Sequence, residues 1–265
     1  MIPQEMMTAF AALHERRADA RLGVRWHASL PSTMDAAAAL AQDGAVHGVV
    51  VVAEQQTKGR GRRGTTWASP PGAGLYFSFI ARPPGAAKAG GVCTLSLLTL
   101  AAGVAVRDGI LAATGLGADL KWPNDLLAGR RKLAGILAEG LAIGTPDQAV
   151  IVGVGVNVQP AAYPPEVRTR ATSIESELGQ RIDRARLLSE ILISLWDRLA
   201  LLGQSPGDIL RAWRAASPSA IGTRVEWDGR SGVTAGIDDN GALLVKTATG
   251  VERIIAGELH WHLVG

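Results

Sequence analysis

A short basic segment, residues 59–64 with the sequence GRGRRG, combines positive charge with glycine. Together with Lys58, it places four cations within six positions, and its glycines allow backbone N–H groups to approach a ligand closely. An apolar run at residues 49–53 precedes it and is typical of a buried strand. We therefore predict an anion-binding loop at the edge of a sheet.

The positions of the glycines also match those in two known phosphate-binding motifs, but the residues around them do not. The dinucleotide fingerprint G-x-G-x-x-G requires a helix at its last glycine and an acidic residue about 20 positions later. Residues 75–80 instead resemble a strand, and no Asp or Glu occurs between Glu54 and Asp108. A P-loop requires lysine where this chain has Thr65. Both interpretations fail, and the alternative to a ligand site is a solvated basic patch.

A second polar group lies in residues 121–125, with the sequence KWPND, at the end of a predicted strand. The turn-prone residues 128–130 lead from there into another strand at residues 132–139. The resulting β-hairpin would bring Asn124 and Asp125 close to Lys132. This Lys132–Asp125 pair is either a surface salt bridge or a cation aimed at a phosphate beside a metal-binding carboxylate.

Residues 150–158 alternate with the period of a strand, with valines on one face and Ile151, Gly153, Gly155 and Asn157 on the other. Glycine weakens a purely structural strand, so two glycines followed by an amide favour a flat ligand lying against this face.

Ser32 and Thr33 stand where an alanine-rich helix is predicted to begin, and Gly44 would end that helix. Their hydroxyls either cap the helix or belong to a ligand pocket, and capping is the better interpretation from sequence alone. Other helices are predicted within residues 4–20, where Met7, Phe10 and Leu13 would face inward, and within 91–114, 183–203 and 206–217.

After about Pro218 the chain changes to short alternating strands separated by turn pairs such as Asp228-Gly229. We predict a small β-barrel there. His260 and His262 would share one face of its last strand, but no thiol lies nearby in sequence, and no zinc site is expected.

Length and composition predict a globular protein with one large domain, alone or with a small companion. A net charge of +3 over 265 residues excludes a uniformly cationic surface. Cys93 is the only cysteine, which excludes an internal disulfide, and its apolar neighbours predict burial. The start of the chain lacks signal-peptide features, and no uncharged apolar segment is long enough to span a bilayer. We expect a cytoplasmic protein without membrane contact.

Taken together, the Ser32-Thr33 pair and residues 56–67, 121–125, 132–137 and 153–157 resemble the biotin protein ligases. With the β-rich tail, the resemblance runs from about residue 25 to the C-terminus. It implies an α+β fold, with a catalytic domain like that of class II aminoacyl-tRNA synthetases around a mixed sheet, and a small C-terminal SH3-like β-barrel. The corresponding boundaries would be residues 1–216 for the catalytic domain and 217–265 for the SH3-like domain.

The resemblance also implies a two-step reaction. ATP would activate biotin as biotinyl-5′-AMP, and the biotinyl group would then pass to a lysine of a biotin carboxyl carrier protein. Repulsion between the biotin carboxylate and the α-phosphate is the obstacle that cationic side chains and Mg²⁺ must screen. The residues implied for this catalysis are Lys132, Arg62 and Arg60, with Asp125 as a Mg²⁺ ligand. Transfer from the adenylate requires no enzyme nucleophile, which agrees with the absence of a G-x-S-x-G signature.

The implied binding residues divide between the two substrates. For biotin they are Ser32, Thr33, Gln56, Gly59, Arg60, Arg62, Lys132 and Gly135. For ATP and the adenylate they are Arg62, Arg63, Trp67, Asn124, Asp125, Lys132 and Asn157. Some relatives have Asn where this chain has Met34, and a basic residue where it has Thr65. The first difference would affect one contact with biotin, and the second would affect retention of the adenylate.

Two other functions share some of these features. A lipoate-protein ligase has the same fold and adenylate chemistry, although the GRGRRG loop favours biotin. A nucleic-acid-binding protein would use residues 58–64 as a phosphate clamp. Some biotin ligases are also repressors, but the roughly 25 residues before the resemblance are too few for a supported helix-turn-helix, so no sequence-specific DNA binding is expected. The resemblance further implies a homodimer formed through the catalytic sheet.

Overall fold

The computed structural model describes residues 2–82, 95–257 and 259–262. Cys93 and the first residues of the predicted 91–114 helix lie outside these ranges. Within them, the chain forms a seven-stranded sheet, a five-stranded sheet and six α-helices.

The larger sheet carries most of the residues of interest. Its strands are β1 (Gly23–His27), β2 (Val49–Ala53), β3 (Gly74–Ala81), β4 (Asp119–Lys121), β5 (Asp125–Ala128), β6 (Arg131–Leu141) and β7 (Ala149–Asn157). Their order in the sheet is β1-β2-β3-β7-β6-β5-β4, with β1 and β2 parallel and the other neighbours antiparallel. The sheet is therefore mixed, as predicted, and it contains the predicted β5–β6 hairpin.

Helices cover both faces of this sheet. They are α1 (Gln4–Arg16), α2 (Thr33–Gln42), α3 (Leu95–Thr114), α4 (Ile174–Leu178), α5 (Arg184–Gln204) and α6 (Pro206–Ala215). Strand β2 shows the alternation that produces two packed faces. Val50 and Val52 join the large core that includes α3 and α5. Val51 lies on the opposite face, where it packs with Met34 and Ala37 of α2. The apolar run at residues 49–53 is thus buried on both sides, as predicted.

Helix α1 differs from its prediction in length and in its buried face. Met6 is fully buried with Phe10, whereas Met7 is 50% exposed. Positions 6 and 10 are one turn apart on the same face, and position 7 is rotated away from that face. The helix also ends earlier than predicted, next to Arg17, whose guanidinium pairs with Asp197 of α5 at 2.5 Å.

Helix α3 is long and apolar enough, by length and composition alone, to cross a membrane, and it is the one helix of this kind in the described ranges. It carries Arg107 and Asp108, and most of its apolar side chains are buried in the core of the protein. Its composition is that of the predicted core helix.

The smaller sheet is antiparallel. Its strands are β8 (Ile221–Trp227), β9 (Arg230–Ile237), β10 (Leu243–Thr247), β11 (Gly250–Ile254) and β12 (His260–His262), in the order β11-β10-β9-β8-β12. Asp228 and Gly229 both have positive φ in the β8–β9 turn, which is the conformation of the predicted tight hairpin. Strands β11 and β12 are the two edges, so the described strands do not close into a barrel. The sheet is nevertheless consistent with the SH3-like domain that was expected.

The two sheets share one core. Trp122 Nε1, just after β4, donates to the carbonyl oxygen of Gly241 in the β9–β10 turn at 3.0 Å. Val225 and Val245 of the smaller sheet belong to the same apolar cluster as α3 and α5. The boundary between residues 216 and 217 stays a prediction.

Candidate active site

A cavity of about 630 Å³ opens between the basic loop, the larger sheet and strand β12. The sequence-predicted residues that line it are Thr33, Gln56, Arg60, Arg62, Arg63, Trp67, Asn124, Asp125, Lys132, Gly135 and Asn157. Ser32 and Gly59 are not among its lining residues. A concave site of this size is typical of small-ligand binding.

The basic loop is a short hairpin that follows β2 and borders the cavity. The N–H of Trp67 donates to Gly59 O at 2.9 Å, and the N–H of Gly61 donates to Thr65 O at 2.7 Å. A Cβ at position 59 would stand 2.4 Å from Trp67 O, so this position requires glycine. At the tip, Arg63 has a φ of 55°, which is uncommon for a residue other than glycine. The hairpin thereby sets the positions from which Arg60 and Arg62 extend.

A polar network lies at the wall formed by Thr33 and Gln56. Gln56 Oε1 accepts hydrogen bonds from the Thr33 N–H at 2.8 Å and from its hydroxyl at 3.1 Å. Ser78 Oγ donates to Thr33 Oγ1, and Gln56 Nε2 donates to Ser69 Oγ. Ser32 Oγ accepts a backbone N–H from the first turn of α2, which confirms the predicted cap. The sequence pattern contained no signal for Ser69 or Ser78, because only the folded sheet brings them here.

Arg60 joins three elements. Its guanidinium contacts Glu139 of β6 at 2.6 Å and Asp35 of α2 at 3.4 Å. These ion pairs hold the basic loop against the sheet and α2, and all three side chains remain partly exposed.

Arg62 is a partly buried cation with a neutral partner. Its Nη1 donates to Asn124 Oδ1 at 3.3 Å, while Asn124 Nδ2 donates to Ile136 O at 2.8 Å. Burial lowers the pKa of Arg62, Asp125 acts in the opposite direction, and Arg63 adds to the lowering. A guanidinium that has lost water without gaining a carboxylate partner is favourable for an anionic ligand.

Lys132 and Asp125 meet across the β5–β6 hairpin, as predicted. Lys132 Nζ lies 2.6 Å from Asp125 Oδ1, a buried atom that makes no directed hydrogen bond. The Lys132 backbone is held on its other side, since its N–H donates to Arg170 O and its carbonyl accepts from the Thr172 N–H. The lysine is therefore fixed at its backbone while its ammonium reaches the cavity.

The glycine-bearing face of β7 is covered by protein side chains. A Cβ at Gly155 would stand 2.4 Å from Trp67 Cε2, and a Cβ at Gly153 would stand 2.4 Å from Met34 Sδ. On β6, a Cβ at Gly135 would stand 2.9 Å from Trp67 Cζ3. The two strand glycines were predicted to clear room for a ligand, but the groups that directly fill this room are an indole and a thioether.

Asn157 also has a different environment from the predicted one. It lines the cavity, yet it is only 4% exposed. Its Nδ2 donates to Thr172 O at 3.0 Å and to Lys132 O at 3.3 Å. The amide nitrogen thus links the strand that carries Lys132 to the segment beside it.

Lys121 and Trp261 line the cavity and were not predicted as site residues. Lys121 belongs to the KWPND segment, so its charge was a usable signal. Trp261 lies on β12 of the smaller sheet, and its approach depends on how the two sheets pack.

Positive charge is in excess at the cavity. The charged lining residues are Arg60, Arg62, Arg63, Lys121, Lys132 and Arg170, with Asp125 as the acidic one. No group of three His, Cys, Asp or Glu side chains that could hold a metal occurs among the described residues. A divalent cation at Asp125 would therefore depend on ligand oxygens, which is how Mg²⁺ commonly binds with phosphates. This excess of cationic side chains can hold two anionic groups of bound ligands close to each other.

Two family models match the chain: the biotin/lipoate A/B protein ligase family over residues 26–157, and the biotin protein ligase C terminal domain over residues 231–259. The bifunctional ligase/repressor BirA of Bacillus subtilis is 37% identical over 88% of this chain and 72% of its own length. The biotin–[acetyl-CoA-carboxylase] ligase of Paracoccus denitrificans is 35% identical over 79% of this chain and 88% of its own length. Among solved structures, the biotin protein ligase of Aquifex aeolicus in complex with biotin and ATP has a TM-score of 0.76 and 29% identity, covering 91% of this chain and 98% of that one.

Proposed function

This chain belongs to the biotin protein ligase family, and on that premise we propose that its cavity binds biotin and ATP and joins them as biotinyl-5′-AMP. The biotinyl group then passes to a lysine of a biotin carboxyl carrier protein. One observation carries the proposal: the Lys132–Asp125 pair, 2.6 Å apart, shares a cation-rich cavity with Arg62. Such a cavity meets the main requirement of the first step, which is to bring a carboxylate up to a phosphate.

In the first step, a biotin carboxylate oxygen attacks the α-phosphorus of ATP. An O–P bond forms, the bond from that phosphorus to the oxygen bridging to the β-phosphate breaks, and pyrophosphate leaves with the electron pair. Lys132 contacts the carboxylate and the α-phosphate and screens their repulsion. Arg62 exchanges its neutral partner Asn124 for a phosphate oxygen, and Arg60 with Gly59 covers the carboxylate side.

The ureido end of biotin is recognised by Thr33 and Gln56, supported by Ser32 at the start of α2. The hydroxyl and amide of this pair are already oriented by hydrogen bonds, so little freedom is lost on binding. Gly135 lines the cavity beside Lys132, and its lack of a side chain lets the Trp67 indole and the Lys132 side chain pack at this wall of the biotin site. Met34 makes this end of the cavity more apolar than the asparagine of some relatives would.

The nucleotide side consists of Trp67, Asn124 and Asn157, with Arg63 at the entrance. Asp125 is the acidic residue that lines the cavity and would be the protein ligand of Mg²⁺, with Lys132 giving up its 2.6 Å contact to Oδ1 when it turns to the substrates. Held by Asp125 and ATP phosphates, Mg²⁺ would supply further neutralisation of phosphate charge.

In the second step, the amine of the carrier lysine attacks the acyl carbon of the mixed anhydride. A C–N bond forms, the C–O bond to AMP breaks, AMP leaves with the electron pair, and the amine proton passes to solvent. The adenylate is already activated, so this step requires only that the basic loop hold it away from water.

We further propose a cytoplasmic homodimer that does not bind DNA sequence-specifically. Arg16 and Arg17 at the end of α1 pair with Glu190 and Asp197 of α5, so these cations are engaged within the protein. A gel shift on a biotin operator that was specific and dependent on biotinyl-adenylate would contradict the absence of DNA binding.

The test of the reaction is pyrophosphate release by purified protein with Mg-ATP and either biotin or lipoate. A carrier domain is then added and its mass is measured. We expect release with biotin and a biotin-sized mass increase, in keeping with the biotin-specific C-terminal family model. Release with lipoate alone would retain the adenylate chemistry and change the substrate, and no release with either would refute the proposal.

A further inference from the structure

Lys121 is a cation of the cavity that the reaction scheme leaves without a role. It lies at the end of β4, where its Cα is paired with that of Asp125 across the β4–β5 hairpin. The residue is half-buried and lines the cavity together with Lys132 and Arg62.

The contact that positions Lys121 comes from the smaller sheet. Its Nζ lies 5.6 Å from the centre of the Trp261 ring, a cation–π distance. Trp261 sits on β12, where it pairs with Val225 of β8, and it also lines the cavity. The last described strand of the chain therefore holds a lysine of the catalytic sheet.

The charge of Lys121 is not neutralised within the described residues. Asp125, the acidic residue of the cavity, is engaged by Lys132 at 2.6 Å, and Lys121 has no ion-pair partner of its own. Burial lowers the pKa of Lys121, Asp125 opposes that effect, and Lys132 adds to it. A partly desolvated ammonium whose main contact is an aromatic face favours an anion that arrives with the ligand.

Lys121 shares the cavity with Lys132 and Arg62, to which the proposed reaction assigns the carboxylate and the α-phosphate. The β- and γ-phosphates carry the rest of the negative charge of ATP and have no cation assigned to them. We propose that Lys121 binds the β- and γ-phosphates of ATP and neutralises the charge that the departing pyrophosphate acquires, and that Trp261 is the positioning residue that holds Lys121 there. The inference rests on the proposed function and deepens it.

This role belongs to the first step alone. When the O–P bond to the α-phosphorus forms, the bridging oxygen leaves with pyrophosphate and its new charge, which is where Lys121 acts. The second step releases AMP, and pyrophosphate has already gone. A residue with a merely structural role would affect both steps, because both use the same folded cavity.

The experiment therefore measures the two steps separately for the wild type and for Lys121→Met, Lys121→Arg, Trp261→Leu and Trp261→Phe. The first assay is biotin-dependent pyrophosphate formation with varied Mg-ATP. The second is transfer to a carrier domain from added biotinyl-5′-AMP. Lys246→Met is the matched control, since Lys246 is exposed on β10 away from the cavity.

For Lys121→Met we expect kcat/KM for ATP in pyrophosphate formation to fall about 100-fold, the loss typical of removing one charge-stabilising donor. Transfer from added adenylate should stay within about threefold of wild type, because no triphosphate takes part in it. Lys121→Arg should recover part of the loss, and Trp261→Leu should lose more than Trp261→Phe, which keeps an aromatic face.

Equal losses in both steps, or no loss in pyrophosphate formation, would overturn the role of Lys121. Pyrophosphate formation that is equal in the two Trp261 variants would overturn the positioning role of that residue. Failure of the proposed function is a separate result: the wild type itself would then release no pyrophosphate with biotin, and this inference would fall with it.

Discussion

The indole of Trp67 lies directly over Gly155, so close that a Cβ at position 155 would stand 2.4 Å from both Cε2 and Nε1 of the ring. The same indole borders Gly135 and lies under the Lys132 ammonium, whose Nζ is 5.3 Å from the ring centre. The basic loop, which ends at Trp67, is thus seated on the sheet through a glycine contact. Trp67 Nε1 is buried in this contact and has no hydrogen-bond partner among the described residues.

A methyl group at this contact should displace the loop. We expect Gly155→Ala to cost about 1–3 kcal/mol in the free energy of unfolding, as overpacking typically does, and to reduce pyrophosphate formation. Urea unfolding and the biotin-dependent assay measure the two effects. Gly117→Ala is the matched control, because a Cβ there meets nothing within 4 Å. Equal behaviour of the two variants would show that the indole contact does not constrain the loop.

Lys132 is the residue whose removal should affect adenylate formation most. We expect Lys132→Met to reduce kcat for pyrophosphate formation by about 100- to 1,000-fold, the range for loss of a preorganised charge-stabilising group. Its stability should fall as well, because the Asp125 carboxylate, whose Oδ1 is buried, loses its ion-pair partner; kcat of the folded protein separates the two effects. The exposed substitution Lys246→Met again serves as the control. Activity within threefold of wild type would remove Lys132 from the mechanism.

The features that the sequence predicted correctly depend on neighbours along the chain. Lys132 and Asp125 are separated by one turn, so strand periodicity and a turn signal were enough to pair them. Ser32 caps α2 through a contact within the helix itself. The apolar run at residues 49–53 and the alternation along residues 150–158 likewise identified buried strands.

The features that were missed depend on tertiary packing. Trp67 covers Gly155 and Met34 covers Gly153 because β2, β3 and β7 are neighbours in the sheet, an order that period-two patterns do not encode. Trp261 reaches Lys121 only because the smaller sheet packs on the larger one. The sequence pattern predicted correctly that these glycines leave space on the strand, but it could not predict which side chains occupy that space.

His47 predicts a pH dependence of stability. Burial lowers the pKa of this imidazole, which accepts the Arg82 N–H at Nδ1 and packs against Phe79 and Trp196. In the unfolded chain the pKa of His47 is 6.5, so as the pH falls below that value the unfolded chain gains a proton that the folded protein does not. The free energy of unfolding therefore decreases as the pH falls from 6.5 to the lower pKa of the folded state. We expect urea unfolding between pH 7.5 and about 5 to show a smaller decrease for His47→Asn, which keeps an acceptor but does not titrate.

The control for that experiment is His14→Asn, on the exposed side of α1. It should retain the pH dependence of the wild type. The comparison uses the change of stability with pH, so a constant loss of aromatic packing in His47→Asn does not affect it. Identical pH slopes for wild type and His47→Asn would show that this imidazole does not carry the effect.

The ion pairs of Arg60 predict how firmly the basic loop is held before ligands bind. Glu139→Gln removes the negative charge from the 2.6 Å contact and leaves the more distant Asp35 as the ion-pair partner, so the loop should open more often and trypsin should cleave after its arginines sooner. A surface pair is worth about 0–1 kcal/mol, so cleavage should accelerate by at most about fivefold.

Biotin with Mg-ATP should slow this cleavage in the wild type and in Glu139→Gln, because the adenylate adds contacts to the same loop. Glu252→Gln breaks a pair of equal length with Arg230 on the smaller sheet and should leave loop cleavage unchanged. If both variants were cleaved at the wild-type rate, Glu139 would not be holding the loop, and protection by ligands would have to come from contacts with the adenylate alone.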